Sequence, residues 1–97
     1  MKLNIDQQKL DFVCLENNIT YLGLFGSYAD GNATTDSDVD ILVEFEETKS
    51  LLEKGKVIID LEKLFQKEVD LVSKKNIKES IKQNIQSQLI TLYEKKR

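Results

Sequence analysis

The sequence predicts an α/β fold: a small mixed β-sheet of three to four strands, with helices packed mainly on one face. Three observations predict it. Apolar residues recur at helical spacing in three stretches and alternate with period two in stretches between them. Helix-like and strand-like segments interleave along the chain rather than forming separate runs. The 97 residues, 40% hydrophobic and 32% charged, supply one small core and leave no room for two, so residues 1–97 are expected to form a single domain.

The elements follow in order. Asp6 to Asn17 carries Leu10, Val13, Cys14 and Asn17 at helical spacing, so it reads as a first helix ending at the Asn17-Asn18 pair. Ile19 to Gly26 is β-rich and stops at glycine, as a strand does. Ser27 to Ser37 is small, polar and glycine-punctuated, which predicts a short helical turn and then a loop. Asp38 to Phe45 alternates as a second strand. Ser50 to Lys67 is a helix with Leu51, Leu52, Ile58, Ile59, Leu61, Leu64 and Phe65 along it, weakened at Gly55. Val69 to Val72 is a short third strand. Asn76 to about Lys95 reads as a last helix: Asn76 serves as N-cap, and Ile77, Ile81, Ile85, Leu89 and Leu92 recur mostly every fourth residue.

Composition narrows the chemistry. Histidine is absent, which removes Ser-His, Cys-His and His-ligated zinc mechanisms. The lone Cys14 forms no internal disulfide and, with no apolar signal segment at the start, points to the cytoplasm. No run approaches 18 apolar residues, so no membrane span is expected. The net charge of −3 conceals an asymmetry: residues 1–48 carry two lysines against ten acids, and residues 49–97 carry twelve basic groups against seven acids. The only arginine is Arg97. Such a chain is a poor candidate for independent nucleic-acid binding, although the lysines of the second half suit an acidic partner.

The informative stretch runs from Leu24 to Phe45. In the second strand Val39, Ile41, Val43 and Phe45 share one face, and Asp38 and Asp40 share the other. Glu68-Val69-Asp70-Leu71-Val72 repeats the pattern, with Asp70 opposite to Val69 and Leu71. If the two strands are neighbours, three carboxylates converge. Two like charges about 4 Å apart repel by roughly 4 kcal/mol at an effective dielectric near 20. Protons or cations must offset that, and oxygen-only donors with open positions suit Mg²⁺. Paired Mg²⁺ ions serve in-line attack at phosphorus. Gly26 lets backbone approach a ligand, and Ser27 stands at a helix start, where N–H groups and a hydroxyl suit a triphosphate.

Gly26-Ser27, ten intervening residues and Asp38-Val39-Asp40 resemble the Gly-Ser-x10-Asp-x-Asp signature of the DNA polymerase beta-like nucleotidyltransferase superfamily. Four fixed residues at that spacing arise by chance in a chain this long on the order of once in a thousand. In length and element order the whole chain is similar to the minimal nucleotidyltransferase (MNT) branch. The resemblance implies that Asp38 and Asp40 bind two Mg²⁺ ions. It implies that Asp70 is the third metal carboxylate and helps activate the attacking hydroxyl. Gly26 and Ser27 match the phosphate-contacting positions. It further implies ATP as substrate and a HEPN-domain toxin as partner, silenced when AMP is moved onto one of its tyrosines. A chain of 97 residues has no second domain to form an acceptor pocket, so an acceptor supplied by another protein is expected.

One position departs from the family. The loop there commonly reads Gly-Ser-x-Ala-Arg-Gly, and here Asp30 stands at the arginine. A non-catalytic module of the same fold, neutralising its partner by contact alone, is therefore the rival reading. Blander readings fit less well. A solvated acidic turn does not explain the alternation of Val39, Ile41 and Val43. An EF-hand starting at Asp36 would need glycine where Ile41 stands, and a P-loop from Gly26 would need Lys-Ser/Thr where Asn32-Ala33 stands.

Overall fold

Asp6 starts the first helix by accepting the backbone N–H of Lys9 at 3.2 Å. The computed structural model of the chain describes residues 3–77, 82, 85 and 88–95. Helix α1 (Gln7–Glu16) ends at Asn17, and Asn18 turns the chain at φ 56° into strand β1 (Ile19–Phe25). A four-residue helix α2 (Ser27–Asp30) and a loop lead to β2 (Val39–Phe45). Helix α3 (Leu51–Phe65) follows, opened by a capping box in which Ser50 and Glu53 satisfy each other's backbone N–H. Gly55, on an open surface, is accommodated inside it. Strand β3 (Val69–Ser73) completes a β-α-β unit.

The sheet has four strands in the order β3-β2-β1-β4. β1 pairs antiparallel with β2, and β2 pairs parallel with β3. The result is the expected mixed sheet. Period-two alternation gives it two different faces. On one, Val39, Ile41 and Val43 of β2 and Leu22 and Leu24 of β1 pack against Leu10 and Cys14 of α1 and Val57, Leu61 and Phe65 of α3. Each Leu, Ile or Phe buried there contributes roughly 1.5–3 kcal/mol. Buried Asn17 ties the two helices together: its amide donates to Val13 O at 2.8 Å and to Asp60 at 3.2 Å, and it accepts from Lys56 at 3.3 Å. On the other face a smaller cluster gathers Tyr21, Leu42 and Ile85, with Phe25 and Val72 beside it.

The end of the chain corrects one expectation. Instead of an unbroken helix from Asn76 to Lys95, Lys74–Asn76 form a 3-10 turn, with Asn76, the expected N-cap, as its last residue. Lys82, Ile85 and Gln88 are helical, but Ile90–Glu94 form strand β4, antiparallel to β1. Leu92 thus lies in the sheet, while Ile81 lies outside the described residues. The physical reason is the free edge of β1. Its backbone N–H and C=O groups need partners, and Ile90-Thr91-Leu92-Tyr93 is β-branched and aromatic enough to supply a strand. Among the described residues no helix is long and apolar enough to cross a membrane.

Candidate active site

Strand β1 leaves the sheet at Gly26, whose φ of 73° and ψ of −151° belong to a region open essentially to glycine alone. Helix α2 begins at once. The N–H groups of Ala29 and Asp30 donate to Gly26 O at 3.0 and 3.1 Å. Ser27 occupies the first position of this turn, where backbone N–H groups have no acceptor within a helix. Gly31, at φ 86°, ends the turn. Asp30 stays local: its carboxylate accepts the N–H of Asn32 at 2.9 Å, so the residue at the family's arginine position shapes the loop. Thr34 and Ser37 close the rest of the spacer, with Thr34 N–H donating to Ser37 Oγ at 2.9 Å.

The strands bring the acidic residues to the same end of the sheet. Asp38 precedes β2 by one residue and is exposed, and Asp40 is half-buried within it. In the parallel β2–β3 register, Asp40 aligns with Asp70. Val39 N–H donates to Glu68 O at 2.8 Å and locks that alignment. Across the antiparallel β1–β2 pair, Asp40 faces Phe25, one residue before Gly26. Gly26 itself lies against the Asp40 carboxylate: a Cβ added there would lie 3.0 Å from Asp40 Cγ and closer still to Oδ2. Gly26, Asp40 and Asp70 are thereby brought to the same end of the sheet, with Ser27 next to Gly26 in the chain and Asp38 close enough to act on Asp40 electrostatically.

Asp40 is held above the ordinary carboxylate value, first by burial, then by Asp70, then by Asp38. The donors are all hard oxygens, and a cation would relieve the repulsion that raises Asp40. The donor chemistry thus fits Mg²⁺. Among the described residues, however, no three His, Cys, Asp or Glu side chains are gathered into a metal cluster. The fit is one of donor type and placement, not of a preformed cage.

Sequence reasoning missed two features of this site. Phe25 stands beside Asp40 on the same face, since directly paired cross-strand residues project to one side. The contact between Gly26 and Asp40 depends on a backbone angle that no spacing reveals. A cavity of about 440 Å³ lies at the opposite end of the sheet, lined by Thr20, Tyr21, Glu44, Glu46, Lys74 and Lys95 among others. It holds none of the predicted residues, and Lys95 and Glu46 pair across it at 3.2 Å. The aspartate edge is the better candidate because, among the described residues, no cation pairs with its like charges.

Comparison with known proteins shows the family and the fold. A family model described as a nucleotidyltransferase domain matches residues 7–96. The protein adenylyltransferase MntA of Thermococcus cleftensis is 45% identical over 69 residues, covering 71% of this chain and 70% of that protein. A solved structure provisionally assigned as a minimal nucleotidyltransferase superposes with a TM-score of 0.74 at 31% identity, covering 87% of this chain and 86% of that one. A tri-AMPylated Shewanella oneidensis HEPN toxin in complex with an MNT antitoxin shares the fold, with a TM-score of 0.67 at 22% identity over 92% of this chain and 70% of that one. This chain belongs to the nucleotidyltransferase domain family, in its minimal nucleotidyltransferase branch.

Proposed function

We propose that this chain is a cytoplasmic protein adenylyltransferase antitoxin, which moves AMP from ATP onto a tyrosine hydroxyl of a HEPN-domain toxin and so neutralises it. The observation that carries the reading is the alignment of Asp40 with Asp70 beside the Gly26–Ser27 turn. Support for protein as the acceptor comes from the name of the Thermococcus relative, and support for a HEPN partner from the Shewanella complex.

The acceptor oxygen attacks the α-phosphorus of ATP. A bond forms between them, the bond from that phosphorus to the bridging oxygen breaks, and pyrophosphate leaves with the electron pair. Ser27 and the backbone at Gly26 hold the β and γ phosphates against the start of α2. Asp70, the exposed carboxylate on the outer strand, favours loss of the acceptor proton. Asp38, Asp40 and Asp70 would hold two Mg²⁺ ions, which supply positive charge to the phosphoryl group in flight.

The test is direct. The protein is incubated with its HEPN partner and Mg-ATP, and the partner is weighed by mass spectrometry. An added AMP mass, lost in Asp38→Ala and Asp40→Ala, supports transfer. A second reading is favoured by Asp30, a negative group tied to Asn32 where the family has arginine. In that reading the chain neutralises its partner by contact. Tight binding with an unchanged partner mass would establish it and overturn transfer.

A further inference from the structure

Gly26 and Asp40 have been given separate tasks, one for phosphate and one for metal, yet they are in contact. The missing Cβ of Gly26 leaves the space in which the Asp40 carboxylate sits: a Cβ would overlap Oδ2 and stand 3.0 Å from Cγ and 3.2 Å from the Asp40 Cβ. Two of the three obstructing atoms belong to the carboxylate itself. The Asp40 backbone cannot retreat, because β2 is an inner strand fixed on both sides, by Phe25 of β1 and Asp70 of β3, so a Cβ at Gly26 would be relieved by moving the carboxylate itself. Its neighbours along β2, Val39 and Ile41, are fully buried on the opposite face.

We infer that Gly26 is a positioning residue for Asp40: by lacking a side chain it sets where the Asp40 carboxylate lies, in addition to any contact it makes with phosphate. The functional half of this inference rests on the reading of Asp40 as a metal ligand, and the geometric half does not. Gly31 provides a control for a positive φ alone: at φ 86°, ψ 6° it lies in the left-handed helical region, a milder demand than the glycine-only angles of Gly26, and a Cβ there meets nothing within 4 Å. Gly31→Ala thus imposes backbone strain at a positive φ without obstructing any carboxylate.

The test has two readouts. The first is a stability cycle in metal-free protein, comparing Gly26→Ala, Asp40→Ala and the double variant by thermal melting. Asp40→Ala removes Oδ2 and Cγ and leaves only the Cβ contact. Gly26→Ala should therefore lower the melting midpoint by about 4 °C or more beyond its effect in the Asp40→Ala background. The same cycle with Gly31→Ala should be additive. The second readout is Mn²⁺ binding measured by calorimetry well below the melting transition. Gly26→Ala should weaken it roughly tenfold or more, the range found for residues that orient a ligand, and Gly31→Ala should leave it unchanged. Additivity of Gly26→Ala with Asp40→Ala overturns the inference, as does unaltered Mn²⁺ affinity in Gly26→Ala. If the unmodified protein binds no Mn²⁺, the metal reading of Asp40 fails, and the stability cycle alone decides whether Gly26 positions it. If Gly26→Ala does not fold but the double variant does, the clash is demonstrated outright.

Discussion

Asp40 and Asp70 stand side by side across the parallel β2–β3 ladder, and both occupy the sheet face opposite α1 and α3. Burial, Asp70 and Asp38 together hold Asp40 above the ordinary carboxylate value of 3.8. The sign of the consequence is fixed. A carboxyl whose folded value is raised gives up its proton more readily in the unfolded chain, so stability falls as pH rises from 3.8 through the raised value. Asp40→Asn should remove that loss. At pH 7 without metal the variant should melt higher than the unmodified protein, by less than about 1 kcal/mol because Asp40 is half exposed to screening solvent. Below pH 3.8 the difference should vanish. Saturating Mg²⁺ should reverse the order by stabilising only the protein that retains the carboxylate. Melting curves across pH, with and without Mg²⁺, check all three; a variant less stable at pH 7 in the absence of metal contradicts the repulsion.

Cys14 is fully buried in the core between α1 and the sheet. Burial, with Asp11 adding to it, pushes its thiol from 9.0 up to about 12. Almost no thiolate is then present at pH 8. The folded protein should therefore react with a disulfide reagent only through opening of the core, and urea should restore a free-thiol rate. The same shift means that stability declines once pH passes the ordinary thiol value of 9.0, where the unfolded chain ionises first. Rapid labelling of the native protein at pH 8 would contradict this packing.

The capping box at the start of α3 gives a prediction independent of the site. Ser50 Oγ accepts the Glu53 N–H at 3.2 Å, and the Glu53 carboxylate accepts the Ser50 N–H at 3.1 Å. Ser50→Ala should cost about 1 kcal/mol in urea denaturation. Glu53 is held below its ordinary value, chiefly by the Ser50 backbone hydrogen bond. Its contribution is present at neutral pH and is lost as pH falls below the ordinary glutamate value. Glu53→Gln should accordingly flatten the acid side of the stability profile.

Much of the site was legible because alternation separates its chemistry by face. Val39, Ile41 and Val43 on one side make Asp40 on the other readable as deliberate, and Val69-Asp70-Leu71 repeats the same statement on the neighbouring strand. Two things were not legible. The four-residue recurrence of Ile77, Ile81, Ile85 and Leu89 continues to Leu92 in sequence, but Ile90–Glu94 form a strand, where the open edge of β1 makes one more favourable. Local pattern cannot register an unsatisfied edge elsewhere in the chain. The contact of Gly26 with Asp40 was hidden for a related reason: the thirteen residues between them bring the two together only after the turn at Gly26 has taken its glycine-only angles.

Tyr28 follows Ser27 directly and turns into the main core, where it is only 8% exposed. Its hydroxyl is buried without a hydrogen-bond partner among the described residues. A buried hydroxyl left unpaired costs about 1–3 kcal/mol relative to one that is satisfied, while its aromatic ring still contributes packing. Tyr28→Phe removes the unpaired group and keeps the ring. The variant should thus be at least as stable as the unmodified protein, with a gain of up to about 1 kcal/mol in urea denaturation. Tyr28→Ala, which also empties the space beneath α2, should lose about 3 kcal/mol or more. A loss of 1 kcal/mol or more in Tyr28→Phe would show that the hydroxyl is held by a partner, and that the turn carrying Ser27 is anchored through it as well as through Gly26.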